Sequence, residues 1–547
     1  MSYGTLRQLR RSAQIFFLLV FLVLLVATEF RGSLRNAATD IRLACPIRWF
    51  LDFDPLAAIV NALATHALYR GLLWSLVIIL LTFFLGRFFC GWICPLGTLH
   101  HFFGYIRSER KRGRARLELN RYRRWQTLKY YLLVAGLVAA LLGSGIIGLL
   151  DPVSLTVRAF AVAVLPAVHY AVNSTTAVLY HSGSGILRTL ADLIQFAFGA
   201  TVLSFRQPHF RQAFLFGLIL VVLLALNLRV TRFWCRALCP LGALLGLLSR
   251  WSLLTLEKRH GQCGECNRCL LHCQGADEPL PGSSWRKAEC HLCFNCVAEC
   301  EDQTLAFRWL RPATSTIVGP DLTRRRALTS AAAGIALVPL LRAGTALKTE
   351  NDDRLLRPPG ALAESDFLAR CIRCDACLKA CPNNALHPAF AEAGLEGLWT
   401  PVLVPRIGYC EPSCVLCGEV CPAGAIWRIT SQEKGWATGT KNDKPIHIGT
   451  AFYDRGRCLP WAMTTDCIVC QEWCPTSPKA IYLRPAEVVD AAGKVKQVRQ
   501  PYVEPERCVG CGACEFACPV QDRPAIYVTS IGETRSRTNQ VLLRPRA

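Results

Sequence analysis

Of the 29 cysteines in this chain of 547 residues, 24 fall into six quartets, and a polypeptide so written must fold its loops around whatever those thiols bind. The first two quartets are Cys263, Cys266, Cys269, Cys273 and Cys290, Cys293, Cys296, Cys300. Next come Cys371, Cys374, Cys377, Cys381 and Cys410, Cys414, Cys417, Cys421. Cys458, Cys467, Cys470, Cys474 and Cys508, Cys511, Cys514, Cys518 complete the set. Four of the six read C-x2-C-x2-C-x3-C, the bacterial ferredoxin run in which three thiolates wrap one 4Fe-4S cluster and the fourth reaches its neighbour. Paired quartets therefore predict paired clusters. The other two have one extra residue before Cys414 and a nine-residue step from Cys458 to Cys467. Closure entropy grows slowly with loop length, so both remain ligand sets.

Zinc and disulfides are the competing uses of thiols. Zinc ribbons space two C-x2-C knuckles by about fifteen to twenty residues, whereas Cys263–Cys273 brings four thiols into 11 positions. Disulfide frameworks belong to small secreted scaffolds. The iron-sulfur reading is preferred. The last four quartets are each followed by a proline (Pro382, Pro422, Pro475, Pro519) and then by Ala385-Leu386, Ala425-Ile426, Ala480-Ile481 or Ala525-Ile526. The proline ends the short helix bearing the last ligand, and the apolar pair begins a strand over the cluster, a repeated α+β ferredoxin half. Gln274 and Glu301 stand in place of the proline in the first two quartets.

Hydrophobic residues make up 52% of the chain, and its mean hydropathy is +0.28, which predicts part membrane and part globular protein. Apolar windows long enough to cross a bilayer lie at 13–30, 72–89, 128–150 and 213–230. Stretches 153–172 and 185–203 are broken by Arg158, Pro166, Arg188 and Asp192, and read as lying at or dipping into the interface. The predicted fold is a polytopic α-helical membrane domain (1–255), a two-cluster ferredoxin domain (256–310), a signal or anchor helix (311–348) and a four-cluster ferredoxin domain (349–547).

Arg7, Arg10 and Arg11, with the dense basic loop 107–124 that includes Arg110, Lys111 and Arg112, mark the cytoplasmic side. The loop between the first two windows also carries Arg31 and Arg35, partly balanced by Asp40. The net charge of +23 gathers at membrane edges, which argues against a nucleic-acid partner.

The membrane half is duplicated. Asp54-Pro55 precedes RFFCGWICPLG (87–97), and Asp151-Pro152 precedes RFWCRALCPLG (232–242). Two copies of one hairpin imply a pseudo-twofold pair, in which Cys90 and Cys94 face Cys235 and Cys239, each pair on one helical face. Together these thiols can hold one metal or one cluster; the competing readings are packing and transient oxidation. Cys45 has no evident partner. Asp followed by Pro is an ordinary helix start; with His66, His169 and Arg158, Asp54 and Asp151 are also the candidates for quinol headgroup contact and proton acceptance. GSGIIG (143–148) has the letters of a dinucleotide fingerprint but no strand before it, and reads as a close helix contact. Thr323-Arg324-Arg325-Arg326 before the soft apolar run 327–341 has the layout of an internal twin-arginine export signal. A basic linker is the plainer reading. An export signal there places Cys371 onward outside and Cys263 to Cys300 inside.

At this point the chain resembles a known group. Residues 1–310, with CGWICP, CRALCP and two quartets, resemble the NapH-type membrane polyferredoxins and their methylamine-utilisation and nitrous-oxide relatives. From 320 onward, the twin arginines, four quartets and Cys458-Leu-Pro-Trp461 resemble the NapG-type exported ferredoxins. The resemblance implies a quinol dehydrogenase module of the bacterial inner membrane. It draws on the membrane quinone pool and passes electrons through six 4Fe-4S clusters to a periplasmic reductase, dehydrogenase or c-type cytochrome. In the resemblance, Cys90, Cys94, Cys235 and Cys239 occupy the family's two paired-cysteine motifs. Ala327 and Thr329 depart from the bulky residue and the lysine expected after the arginines. Two other classes stay open: a redox maturation factor for metal-centre assembly, and a ferredoxin-coupled conduit without quinol chemistry. No C-x2-C-H, phosphate loop or serine elbow occurs, so the acceptor carries its own catalytic centre.

Overall fold

The computed structural model describes residues 3–30, 42–108, 113–199, 207–258, 263–264, 266–281, 283–301, 303–309, 317–346, 354–390, 392–436, 444–489 and 492–540. Arg31, Arg35, Asp40, Arg110, Lys111 and Arg112 lie outside them, as do 200–203 of the second broken stretch and 311–316 and 347–348 of the signal segment. The chain divides into two units: 1–25, 47–160 and 213–339 form the first, and 26–46, 161–212 and 340–547 the second.

In the first unit, Asp54 Oδ1 accepts the Leu56 N–H at 2.9 Å and Pro55 opens the helix Pro55–Thr65. In the second copy, Asp151 Oδ2 accepts the Ser154 N–H at 2.6 Å and Pro152 opens the next helix. The window at 72–89 is not one helix. A 3₁₀ turn Arg70–Trp74 runs into Ser75–Leu85, which stops at Gly86 with φ 97°, a conformation other residues avoid. The window at 128–150 breaks as well: the helix Leu128–Leu141 ends before Gly143 (φ 83°), and a 3₁₀ turn Ile146–Leu150 follows. GSGIIG is therefore a turn running into a 3₁₀ segment, and its Ile147 makes the close contact with the preceding helix at Gly136, where an added Cβ would lie 2.2 Å from Ile147 Cδ1.

The stretch 153–172 lies inside a continuous 30-residue helix, Pro152–His181, in spite of Arg158 and Pro166. A π-turn at Phe160–Val164 precedes Pro166, and such turns absorb the missing proline donor without stopping the helix. Arg158 is buried with its guanidinium 5.8 Å from the Phe216 ring centroid. Among the described residues, Tyr3–Ala27, Pro152–His181 and Arg324–Ala343 are long and apolar enough to cross a membrane. Pro55–Thr65, Arg70–Leu85, Ala213–Leu228 and Pro240–Ser249 are apolar but shorter.

Strands Leu254–Lys258 and Leu305–Trp309 pair antiparallel and enclose two short helices, Arg268–Leu271 and Asn295–Ala298. Leu254, Leu256, Trp285, Leu292 and Leu305 form the core beneath them. Each helix carries the third cysteine of a quartet without the proline of the later repeats. Buried Glu289 ties this lobe to the helix Leu128–Leu141: it is ion-paired with Lys129 and accepts the Tyr130 hydroxyl at 2.8 Å.

The second unit repeats the ferredoxin half. Helices Ala376–Ala380, Leu416–Glu419, Val469–Trp473 and Ala513–Ala517 carry third ligands. As the Pro and Ala-Leu/Ile pattern predicts, strands begin at Leu386, Ile481 and Ile526, and Ile426 makes an isolated bridge to Ala361. The strands pair as Leu386–Pro388 with Pro401–Leu403, Thr450–Tyr453 with Ile526–Thr529, and Ile481–Val489 with Val495–Val503. Two segments from the N-terminal half complete the unit. Glu29 pairs with Lys379 at 2.5 Å, the Leu43 N–H donates to Glu419 at 3.2 Å, and Gln212 Nε2 donates to the Pro388 carbonyl at 3.1 Å.

Candidate metal centres

Each regular quartet makes its turn in the same way. The residue after the second cysteine is left-handed (Asn267 φ 56°, Phe294 φ 57°, Asp375 φ 60°, Gly512 φ 84°), and the helix bearing the third cysteine starts there. That reversal turns successive thiols toward one side. The fourth thiol then crosses to the partner quartet. Around Cys269 stand Cys263, Cys266 and, from the other run, Cys300. Cys273 joins Cys293 and Cys296, which also neighbour Cys290.

The exchange recurs in the second unit. Cys371, Cys374 and Cys377 gather Cys421. Cys381 gathers with Cys410, Cys414 and Cys417. Cys458, despite its long loop, stands with Cys467, Cys470 and Cys518, and Cys474 with Cys508, Cys511 and Cys514. Two of these foursomes line small cavities: about 30 Å³ between Cys381, Cys410, Cys414, Cys417 and apolar residues, and about 20 Å³ between Cys474, Cys508, Cys511 and Cys514. The two foursomes are joined, because the Cys410 N–H donates to the Cys511 carbonyl at 2.9 Å.

The donor chemistry fits cubane clusters. Burial pushes the Cys371 thiol up to about 11 and Cys414 to about 12, so bare thiolates are disfavoured until iron supplies positive charge. Among the described residues no three Cys, His, Asp or Glu side chains converge on a single ion. A zinc knuckle converges all its sulfurs on one ion at about 2.3 Å; the thiolates of a cubane bind separate corners and stand farther apart. N–H groups reach the sulfurs, among them Ala385 to Cys381 Sγ at 3.3 Å and Ala451 to Cys508 Sγ at 3.4 Å.

Three further groups bear on these sulfurs, and no spacing rule points to them. Fully buried Lys434 has Nζ 3.4 Å from Cys410 Sγ and donates to the carbonyls of Glu411 (2.6 Å) and Cys414 (2.8 Å). The Cys273 thiol donates to Asp277 Oδ1 at 2.5 Å, and Trp285 Nε1–H donates to Asp277 Oδ2 at 3.2 Å. The Tyr453 hydroxyl lies 3.1 Å from Cys470 Sγ.

Cys90, Cys94, Cys235 and Cys239 are all buried and neighbour one another. The members of each pair do not share a helical face. Cys90 lies in the helix Phe88–Trp92 and Cys235 in Phe233–Ala237, while Cys94 and Cys239 directly precede new helices at Pro95 and Pro240. Proline cannot continue the first helix, so the chain breaks between the two thiols.

Of the quinol candidates, Asp54 and Asp151 come within hydrogen-bonding reach of each other, with Arg158 beside Asp151. His66 is exposed at the far end of the helix Pro55–Thr65, about 18 Å along its axis from Asp54. His169 belongs to the second unit, where it is hydrogen-bonded to Gln207. A cavity of about 330 Å³ in the first unit, lined by Arg7, Arg11, His100, His101 and Arg116 among others, contains none of the five.

Segments 67–114 and 210–259, each holding one C-x3-C-P loop, match a protein family described as "4Fe-4S binding domain". Segments 368–387 and 499–520 match two further families with the same description. The chain is 35% identical over 193 residues to the methylamine utilization ferredoxin-type protein MauM of Methylorubrum extorquens, covering 34% of this chain and 76% of that protein. It is 33% identical over 210 residues to MauM of Paracoccus denitrificans, covering 36% and 83%. It is 36% identical over 176 residues to the ferredoxin-type protein NapG of Escherichia coli, covering 32% and 69%. No solved structure matches.

Proposed function

Because the chain belongs, through its ferredoxin region, to the family of the MauM and NapG ferredoxin-type proteins, an iron-sulfur electron carrier, we propose that it is a membrane-bound conduit from quinol to a periplasmic redox enzyme or cytochrome. Six interlocked thiol foursomes are the observation that carries this reading. When bound, each 4Fe-4S cluster supplies a one-electron carrier. The protein's own part is to cage the clusters, exclude water and set their surroundings.

Two features support the directional part of the proposal. The N-terminal arm packs on the 256–310 lobe: Arg7 is ion-paired with Glu299, and the Phe307 N–H donates to the Tyr3 hydroxyl at 3.2 Å. Asn120, from the basic loop, donates to the carbonyls of Leu270 (3.1 Å) and Leu271 (2.7 Å). This side is assigned to the cytoplasm by its arginines. Segments 26–46 and 161–212 pack instead on the lobe from 340 onward, which we assign to the periplasm, with Arg324–Ala346 as its twin-arginine anchor. Asp54, Asp151 and Arg158 are assigned to the quinol headgroup. A hydrogen-bonded carboxyl pair holds one proton between its two oxygens and has a site for the next, as quinol oxidation requires.

The test is anaerobic purification of the full chain with iron and sulfide analysis and electron paramagnetic resonance, then addition of a reduced quinol analogue. The expectation is about 24 irons in the six ferredoxin cages and quinol-dependent reduction that Asp151→Asn slows severalfold. Colourless protein containing zinc would overturn the iron-sulfur reading. Clusters that ignore quinol but accept electrons from a reduced ferredoxin would overturn the quinol reading alone.

A further inference from the structure

The six ferredoxin cages leave a second constellation unused. Arg87 and Arg232 hold the same place in the two copies of the membrane hairpin, three residues before the first cysteine of each C-x3-C-P loop. Each crosses to the other copy. Arg232 Nη1–H donates to the Cys90 carbonyl at 3.1 Å, and Arg87 Nη2 lies 2.8 Å from where a Cβ on Gly242 would stand. Gly97 occupies the matching position in the first copy, with Arg232 Nη1 3.8 Å from its added Cβ. The pseudo-twofold repeat thus exchanges its arginines around four buried thiols.

The charge is out of balance. Both arginines are 0% exposed, and Nε and Nη2 of each have no hydrogen-bond partner among the described residues. Arg87 lies 3.6 Å from Glu289, but Lys129 is the closer partner of that carboxylate. Buried Arg10 adds a third guanidinium, none of whose nitrogens has a hydrogen-bond partner among the described residues. Desolvated cations without counter-charge are among the costliest arrangements a fold can contain, so this pocket calls for an anion. Protonated thiols are neutral and do not supply one. Four thiolates on an iron-sulfur core do, because their charge outweighs that of the core. A lone metal ion does not suit the arrangement, since no three of the thiols converge on one point. All four stand as free cysteines.

We propose that Cys90, Cys94, Cys235 and Cys239 ligate a further iron-sulfur centre, separate from the six ferredoxin cages, and that Arg87 and Arg232 are the exchanged counter-charges that retain it and raise its potential. The centre adjoins the cage of Cys273, Cys290, Cys293 and Cys296: Gly91 packs so closely on the His291 carbonyl that an added Cβ would lie 2.1 Å away, and Trp92 Nε1–H donates to the Leu292 carbonyl at 3.1 Å. That places it as the membrane-side neighbour of the inner ferredoxin lobe. The proposal rests on the thiols and arginines, and holds whichever donor feeds the chain.

The experiment uses the anaerobically purified full chain. Wild type should contain iron and acid-labile sulfide beyond the roughly 24 of each that six cubanes require. The double variant Cys94→Ser, Cys239→Ser should lose that excess alone, two of each identifying a binuclear centre and four a cubane, with the six ferredoxin signals intact. In Arg87→Gln with Arg232→Gln, which keeps all ligands, the extra signal should become harder to reduce by at least tenfold in the one-electron equilibrium, about 59 mV, and Lys at both positions should restore it. Wild-type iron and sulfide at the six-cubane value with no additional signal overturns the centre even if the serine variant fails to fold. An unshifted potential in the glutamine variant overturns the role of the arginines.

Discussion

Lys434 and Asp277 place opposite charges against sulfur in two different cages. A cation beside a thiolate cage favours the reduced, more negative cluster, and an anion opposes it. Lys434→Met should therefore lower the midpoint of the centre held by Cys381, Cys410, Cys414 and Cys417, and Asp277→Asn should raise that of the Cys273 cage. Each shift should be on the order of 60 mV, a tenfold change for one electron, read by titration under electron paramagnetic resonance. His387 makes a pH prediction. Its ring is buried, and burial together with Arg211 and His209 pushes it down to about 4 from 6.5, despite the hydrogen bond to the Asn384 carbonyl. Between those values the unfolded chain binds a proton that the folded chain refuses, so stability falls as pH drops from 6.5 toward 4. His387→Gln should flatten that slope in denaturation midpoints measured at pH 7 and 5. The cysteine ligands were legible because their spacing is set along the chain. Lys434, Asp277 and the exchanged arginines were not, because tertiary folding alone brings them to the sulfurs.

At the level of elements, exchange of the fourth ligand makes a sharp prediction. Cys381→Ser and Cys410→Ser should damage the same signal although the two residues belong to different runs, whereas Cys421→Ser should damage the signal shared with Cys371. Matched damage within each run instead would refute the crossing. Glu364 fastens the start of the second unit: it accepts from Arg357 (2.6 and 3.2 Å) and from Arg535 (2.7 Å). Burial pushes its carboxyl up, but Arg357 and Arg535 overcome it and hold the group at about 2. Its contribution is present above the usual 4.5 and is lost as pH falls toward 2. The side chain is 34% exposed, so solvent screens part of that. Glu364→Gln should cost about 1 kcal/mol in chemical denaturation, chiefly by leaving fully buried Arg357 short of a counter-charge. The strand starts after Pro382, Pro475 and Pro519 were legible from the repeated proline and apolar pair. The broken windows at Gly86 and Gly143 were not, because hydropathy averages composition and is blind to a single left-handed glycine.

For the whole molecule, two ferredoxin lobes were visible in the clustering of cysteines. The recruitment of 26–46 and 161–212 into the second unit was not, since neither segment carries a motif and both are held by ordinary polar contacts such as Glu29 with Lys379. Replacing Arg324 and Arg325 by Lys should keep the second lobe on the inner side, and a protease-accessible outer lobe in that variant would count against export. Crossed ligation also bears on biogenesis. Since every lobe shares sulfurs between neighbouring cages, a chain given metal at only one of two sites has a dangling strap at both, and maturation must proceed by twos. On the export proposed above, the second lobe must then receive its full complement before departure, which would tie the timing of secretion to the supply of iron.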